Sequence, residues 1–287
     1  MKERPYISVV IPVRNEERLI SDCLGALLAQ QSQYSFEVIV ADGLSTDSTK
    51  AQAENFGVKM VENPSVTAAA GRNIGIACAR GEIIAFTDGD CVPNQGWIES
   101  IGQAFEDREV DAVAGRVLPC STENHYEAFW NHLAWNVIMP QGPDKHGITK
   151  RELRQTLVTA SCAYRRSLLE RLGCFDEWFG NNAEDTDLTW RALAAGARLL
   201  YDPSISVFAH GPLTLKGVKG KSFRNGVSSS KLQKRYGGII NFDSMIYRLL
   251  FKSLREGGAD ARLNRSQLVW HLLGKYYGSI RYHVFNV

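Results

Sequence analysis

No stretch of this 287-residue chain runs to the eighteen or so consecutive apolar residues that a spanning helix needs. The first apolar run, Ile7 to Val13, is broken by Ser8 and Pro12, so it lacks a signal peptide's hydrophobic centre. The expectation is a chain neither transmembrane nor secreted by that route. Its six cysteines, Cys23, Cys78, Cys91, Cys120, Cys162 and Cys174, form no Cys-x-x-Cys pair and no metal-ligand spacing. Reduced thiols in a cytosolic protein fit that pattern. The familiar phosphate cradles are missing too. Pro12 to Glu16 stands after the first apolar run, where a dinucleotide fold would carry Gly-x-Gly-x-x-Gly. Gly217-Val218-Lys219-Gly220-Lys221-Ser222 imitates the end of a P-loop, but Leu215 occupies the place of the required glycine.

Composition is that of an ordinary globular protein, long enough for one large domain or a domain with an extension. Charge is not evenly spread. Residues 1–211 hold 19 Lys or Arg against 28 Asp or Glu, a net −9, whereas residues 212–287 hold 14 against 3, a net +11. Such asymmetry suggests that the tail meets something anionic, a membrane surface or a nucleic acid.

Apolar runs alternate with helical periodicity through the first ninety residues. Strands are expected at Ile7–Val13, Phe36–Ala41, Val58–Val61 and Ile83–Phe86, with helices from Leu19 to Gln31, up to Phe56, and from Thr67 to Ala79, Gly81 closing the last. Alternation at 20 to 25 residues calls for an α/β fold with a mostly parallel sheet covered on both faces. All the parallel strands then end along one edge, and the loops holding Arg14 and Glu16, Asp42, and Asp88 with Asp90 converge there. Gly89 lets the chain turn sharply between its two acidic neighbours.

Beyond Pro93 the pattern loosens. A helix is expected over Trp97–Phe105, a strand over Val110–Leu118, an aromatic-rich amphipathic helix over Tyr126–Met139, a loop over Pro140–Thr149 and a strand over Thr156–Tyr164. A helix ending at Gly173 follows, then Gly180 to Asp187 opening another, then a strand over Ser206–Ala209 that stops at His210. Glu184, Asp185 and Asp187 crowd a helix start, more acid than capping requires, and the helix dipole favours their charge. From Leu213 basic residues dominate, followed by two amphipathic stretches, Met245 to Leu254 and Leu268 to Tyr282, whose pattern describes interfacial helices.

A diphosphate at an acidic edge is repelled unless a divalent cation stands between. Magnesium is typically held by one or two carboxylates plus substrate phosphates, and manganese also suits oxygen ligands. Asp88-Gly89-Asp90 supplies such ligands, and Glu184 or Asp185 across the cleft could take a proton from an attacking hydroxyl.

Val9-Val10-Ile11-Pro12-Val13-Arg14-Asn15-Glu16, Asp42 to Asp47 in the place of Asp-Asp-Gly-Ser-x-Asp, Gly71-Arg72-Asn73-x-Gly75, Asp88-x-Asp90 and Glu184-Asp185 resemble, in that order, the family 2 glycosyltransferases of the GT-A fold. The resemblance covers residues 6 to about 210 and implies a GT-A type Rossmann-like mixed, mostly parallel sheet flanked by helices, with a basic helical C-terminal extension. By motif position it implies that Pro12, Arg14, Glu16, Asp42, Arg72, Asp88 and Gly89 bind the nucleotide. Asp90, with Asp88 and His210, would hold Mn or Mg, and Asp185, with Glu184, would be catalytic. It implies a catalytic domain over 1–211, with a nucleotide-sugar-binding half (1–92) and an acceptor-binding half (93–211), and a basic amphipathic helical extension over 212–287. The implied activity is inverting transfer from a nucleotide-sugar donor, UDP-linked by preference, to a hydroxyl acceptor in surface polysaccharide or glycoconjugate assembly. The basic tail favours a polyprenyl-linked acceptor, an anionic membrane surface as partner, no nucleic acid, and a cytoplasmic, peripheral location on the inner membrane face. Two departures stand out: Gly43-Leu44-Ser45 replaces the usual Gly-Ser, and no Gln-x-x-Arg-Trp follows Glu184-Asp185, which argues against a processive synthase. A sugar-nucleotide hydrolase or nucleotidyltransferase, and a nucleotide- or nucleic-acid-binding protein gripping phosphates with its tail, are the competing readings.

Overall fold

The computed structural model describes residues 4–120, 122–138, 142–152, 155–237 and 258–284. The chain divides into two compact units, residues 1–120 with 138–210, and residues 121–137 with 211–287.

In the first unit, β1 (Ile7–Val13), α1 (Ile20–Leu28), β2 (Phe36–Asp42), α2 (Thr49–Asn55), β3 (Lys59–Glu62), α3 (Ala68–Cys78) and β4 (Ile83–Phe86) alternate as the apolar periodicity requires. β1 pairs in parallel with β2 and β4, and β2 with β3. Val13 stands opposite Asp42, and Val10 opposite Phe86, so the segments after β1, β2 and β4 leave the sheet along one edge. Both faces are covered, and β1 and β4 are buried along nearly their whole length, as a central parallel strand must be. α3 packs directly on β1: a Cβ on Gly75 would collide with the Val10 side chain.

The remaining elements of this unit are β5 (Cys91–Pro93), α4 (Trp97–Ala104), β6 (Ala112–Pro119), β7 (His146–Ile148), β8 (Cys162–Arg165), α6 (Arg166–Leu172), α7 (Glu184–Ala194) and β9 (Leu199–Ala209); α5 (His125–Asn131) belongs to the second unit. Among the described residues the strands form one mixed sheet in the order β3-β2-β1-β4-β8-β6-β9-β5, with β7 on β9. β8 runs antiparallel to β4, and β5 antiparallel to β9.

Several expectations change. The stretch Pro140–Thr149 contains β7 rather than loop alone, because His146–Ile148 pairs with Leu199–Tyr201 of β9. The strand expected over Thr156–Tyr164 is confined to Cys162–Arg165; Leu157 N instead donates to Thr189 Oγ1, which ties the approach segment to α7. The helix expected from Tyr126 is α5 followed by a π-helical segment, His132–Ile138. Gly81 does not cap α3, whose C-cap is Ala79 in extended conformation. Gly81 is small because a Cβ there would stand 2.6 Å from Ser8 N.

The second unit contains α5, α8 (Leu215–Tyr236) and α9 (Ala259–Tyr282). Asn124 caps α5 by accepting from Tyr126 N and Glu127 N at 3.0 and 3.1 Å, and its own amide donates to Leu213 O. The P-loop imitation lies inside α8 and opens no helix after a strand. The stretch Met245–Leu254 lies outside the described residues.

Candidate active site

Two loops at the sheet edge are braced against each other. Asn15 N donates to Ser45 Oγ (3.0 Å), Thr46 N donates to Asn15 Oδ1 (2.8 Å), and Glu16 N donates to Thr49 Oγ1 (2.7 Å). Asn15 and Leu44 both take left-handed backbone, φ 55° and 58°, which is uncommon for leucine and concentrates at functional sites. Leu44 is the residue that separates Gly43 from Ser45 in this chain. Its left-handed turn leaves the side chain exposed and lets Ser45 N donate to Asp42 Oδ2 at 3.1 Å. Asp42 is thus buried with one oxygen bonded, while no donor among the described residues reaches Oδ1. A buried acceptor without a donor is costly. Arg14 is exposed beside this edge, and Pro12 and Glu16 are half-buried.

α3 supplies the next layer. Asn73 clamps the backbone of Phe175 from both sides, its amide donating to Phe175 O (2.9 Å) and its carbonyl accepting from Phe175 N (3.0 Å). At the start of the helix, Ala68 N donates to Asn181 Oδ1 and Ala69 N to Gly180 O. The segment leading into α7 is therefore fixed at two points by α3. It enters α7 through Ala183 at φ 71°, a conformation that costs a β-carbon roughly 1–3 kcal/mol and needs surrounding structure to hold it.

Arg72 stands between the two acidic motifs. Its guanidinium donates to Asp88 Oδ1 and to Glu184 Oε1, each at 2.7 Å, and lies 5.6 Å from the Phe175 ring centre. Both Arg72 and Glu184 are buried, their side chains 3% and 5% exposed. Burial works against the Arg72 charge, but Asp88 and Glu184 outweigh it and hold the guanidinium protonated. Burial pushes the Glu184 carboxyl up, to about 7, against the opposing pull of Arg72, and the neighbouring Asp185 adds to the rise. Asp185 is half-buried, and one oxygen accepts from Thr186 N at 2.7 Å. Burial also raises its carboxyl, while Arg72 lowers it. The sequence motifs singled out these carboxylates; the arginine bridge joins residues 112 positions apart, and no local spacing signals it.

Asp88, Asp90 and Cys91 bring donor atoms within 4.8 Å of one another in the turn from β4 to β5. Burial pushes the Cys91 thiol well up and the two aspartates add to that, so the sulfur stays protonated, 3.5 Å from Asp90 Oδ1. The donor set for a cation is then two carboxylates, which fits hard, oxygen-seeking Mg or Mn. Gly89 has no left-handed backbone. It is small because a Cβ would sit 2.9 Å from Val13 Cγ1, so close packing against β1, rather than a special turn, keeps the two carboxylates together. His210 N donates to Asp90 O at 3.0 Å where β9 meets β5; the histidine is adjacent through its backbone, and its ring is not among the clustered donors.

A mostly parallel sheet with acidic loops at its strand ends, an Asp-x-Asp turn and an acidic helix start crossing from the other side describe a GT-A glycosyltransferase fold. The model of Glycosyl transferase family 2 matches residues 8–173, more than half of the chain, and the chain belongs to that family. Glycosyltransferase AglE of Haloferax volcanii is 32% identical over 209 residues, covering 69% of this chain and 64% of that protein. The pre-mycofactocin glycosyltransferase of Mycobacterium tuberculosis is 31% identical over 215 residues, covering 71% of this chain and 42% of that one. This chain therefore spans less than two thirds of either relative. Among solved structures, the mannosyltransferase PcManGT of Pyrobaculum calidifontis, in complex with GDP-Man and Mn2+, matches with a TM-score of 0.59 at 20% identity, covering 100% of this chain and 77% of that one. Residues 1–349 of S. aureus TarS match at 0.56 and 17% identity, covering 98% of this chain and 93% of that one. At such identities the likeness is one of fold.

Proposed function

We propose that the protein is an inverting glycosyltransferase that moves a sugar from a nucleoside diphosphate donor, UDP-linked by preference, to a hydroxyl acceptor. The observation that carries it is the Arg72 bridge: one guanidinium bonded to Asp88 of the cation turn and to Glu184 at the start of α7. It holds the two halves of the chemistry in one cleft, with Asp185 beside Glu184. The Asp42 Oδ1 without a donor supports a nucleobase N–H as its partner, with Pro12, Arg14 and Glu16 lining the same edge.

Asp88 and Asp90 would hold Mg or Mn, which when bound neutralises charge on the leaving diphosphate. The acceptor oxygen attacks the anomeric carbon from the face opposite the diphosphate, the carbon–oxygen bond to the diphosphate breaks with its electron pair, and Asp185 takes the acceptor's proton. The configuration inverts. Glu184, buried and tied to Arg72, orients that guanidinium, whereas Asp185 is half-buried and its bonds to Thr186 use Oδ1. A raised carboxyl suits a base that must hold a proton briefly near neutrality. The net +11 of residues 212–287 supports a lipid-linked acceptor at an anionic inner membrane face; no helix among the described residues is long and apolar enough to cross a membrane.

The test is Asp185→Asn with calorimetry of UDP and Mn2+ alongside turnover. Donor-side binding is expected to stay within a few-fold while turnover drops by about 10² to 10⁴. Unchanged turnover removes Asp185 from the base role. Donor consumption that ignores the acceptor favours a hydrolase instead.

A further inference from the structure

In the second unit, α8 and α9 approach each other closely through small residues. A Cβ on Gly226 would collide with the His271 carbonyl, and one on Gly274 with the Phe223 carbonyl; Gly278 would meet Ser230 at 2.9 Å. Gly274 and Gly278 are four apart, as are Gly226 and Ser230, and Ser230 Oγ donates to Lys275 O at 2.9 Å. The buried residues of α9 are Ala261, Leu263, Gln267, Leu268, His271, Gly274 and Gly278, apolar in the first half of the helix and small or polar in the second. On the opposite side Val269, Leu273, Tyr276 and Ile280 recur at helical spacing and are exposed, Tyr276 by 69% and Ile280 by 50%, with Trp270 and Tyr277 at the margin.

A helix in water turns its apolar stripe inward, whereas α9 carries a second apolar stripe outward, beside the half where glycines make the inner contact. Close backbone contact through small residues, a hydroxyl bonding across and apolar side chains outward is how helices pack in lipid. α9 is not apolar enough to span a bilayer. Its outer face is bounded by Arg262 and Arg265 at one end and Arg281 at the other, and Lys219 of α8 lies 5.9 Å from the Trp270 ring centre. Apolar and aromatic side chains rimmed by cations describe a helix lying in the plane of an interface.

We infer that the outer face of α9, built on Val269, Leu273, Tyr276 and Ile280, docks flat into the headgroup region of an anionic phospholipid bilayer. The face rests on the peripheral, lipid-linked reading proposed above and supplies its physical means. Charge selects the occupant. With 14 cations against 3 acids over residues 212–287, a second copy would bring arginine against arginine around the same patch, whereas an anionic leaflet complements every one of them.

The test uses the full chain with phosphatidylglycerol–phosphatidylcholine vesicles in flotation, at low and high salt, with UDP–Mn2+ calorimetry and sedimentation velocity in parallel. The native chain is expected to float with anionic vesicles at low salt and to keep part of that attachment at high salt, since the apolar term is not screened. Val269→Ser/Leu273→Ser/Ile280→Ser, all at exposed positions, is expected to weaken vesicle partition by about tenfold or more with UDP–Mn2+ binding unchanged. Arg262→Gln/Arg265→Gln/Arg281→Gln is expected to remove most of the salt dependence. A native chain that ignores anionic vesicles while binding UDP–Mn2+ overturns the docking face and leaves the transferase reading standing. A serine variant that partitions like the native chain overturns it too, as does one that drops in Tm with partition unchanged, which assigns the face to another part of the chain. A native dimer that becomes monomeric in the variant assigns it to a second copy and overturns the lipid proposal.

Discussion

Replacing Arg72 by methionine tests the centre of the site, because the structure fixes both the size and the pH dependence of the result. The guanidinium is 3% exposed and bonds two carboxylates at 2.7 Å, of which Glu184 is 5% and Asp88 34% exposed. Stranding one member of a buried ion pair costs about 3–5 kcal/mol, and an exposed one much less, so the loss belongs mainly to Glu184. That carboxyl escapes by keeping a proton. In the native chain its pKa is raised from 4.5 to about 7, so whatever stability its protonation contributes is present below 4.5 and lost as pH rises through about 7. Without Arg72 the folded pKa rises further, and Glu184 stays neutral where the native side chain has ionised. Above about pH 7, therefore, the variant keeps losing stability where the native chain has stopped, and the gap widens by ~1.4 kcal/mol per pH unit. Urea unfolding of the native chain, Arg72→Met, Glu184→Gln and the double variant between about pH 6 and 8.5 reads this directly. The widening is expected to be clearly larger with Glu184 present than in the Glu184→Gln background, where only the Asp185 carboxyl, which Arg72 also lowers, still responds. A gap that is flat with pH, or below about 1 kcal/mol as for a surface pair, refutes the reasoning.

Other outcomes follow from individual residues. Asp90→Asn is expected to abolish the enhancement of UDP binding by Mn2+ and leave the metal-free titration unchanged, since one of two carboxylate donors is gone; calorimetry with and without chelator checks it. Gly75→Ala drives a methyl into Val10 and is expected to cost about 1–3 kcal/mol, partly recovered by Gly75→Ala/Val10→Ala in thermal unfolding. His271, buried against α8, has its pKa pushed from 6.5 down to about 4 by burial, with Lys275 adding to the shift. Stability of the second unit is thus expected to fall as pH drops from about 6.5 towards 4, by up to ~3 kcal/mol, and to lose that slope in His271→Gln; circular dichroism in urea at several pH values would show it.

Most of the first half of the fold is legible from apolar periodicity, because β1 to β4 are buried parallel strands separated by helices of ordinary length, and each observed strand lies within a residue or so of its expected place. The second half hides its strands for local reasons. β9 runs from Leu199, well before Ser206, yet Tyr201-Asp202-Pro203-Ser204 reads as a turn, with Asp202 Oδ1 accepting from Ser204 N and Oγ. The turn chemistry is real and sits inside the strand: the pairing with β6 slips between Ala114 and Arg116, and the bulge presses against Gly115, where a Cβ would strike Ile205 O. Proline is tolerated there because the bulge has already broken the ladder. β5 and β7, three residues each, are too short to show a period.

The acidic motifs were visible as separate signals, and what joins them was not. Gly71-Arg72-Asn73-x-Gly75 looks in sequence like one more element at the nucleotide edge; in three dimensions its residues divide the labour of placing α7. Gly71 and Gly75 are small where a Cβ would press on Pro12 and Val10, so α3 can lie close on β1. That approach delivers Arg72 to Asp88 at the end of β4, and Asn73 to the Phe175 backbone. Phe175 in turn packs edge-on against Phe86 at 5.2 Å, on the strand that carries the Asp-x-Asp turn. The loop into α7 is thereby registered against β4 through one aromatic contact and one arginine, and the position of Asp185 follows from residues far upstream in the chain. A helix that touched the sheet less closely, by the width of one methyl group, would leave Arg72 bonded to Asp88 alone and short of Glu184, and that buried carboxyl would then lack its partner.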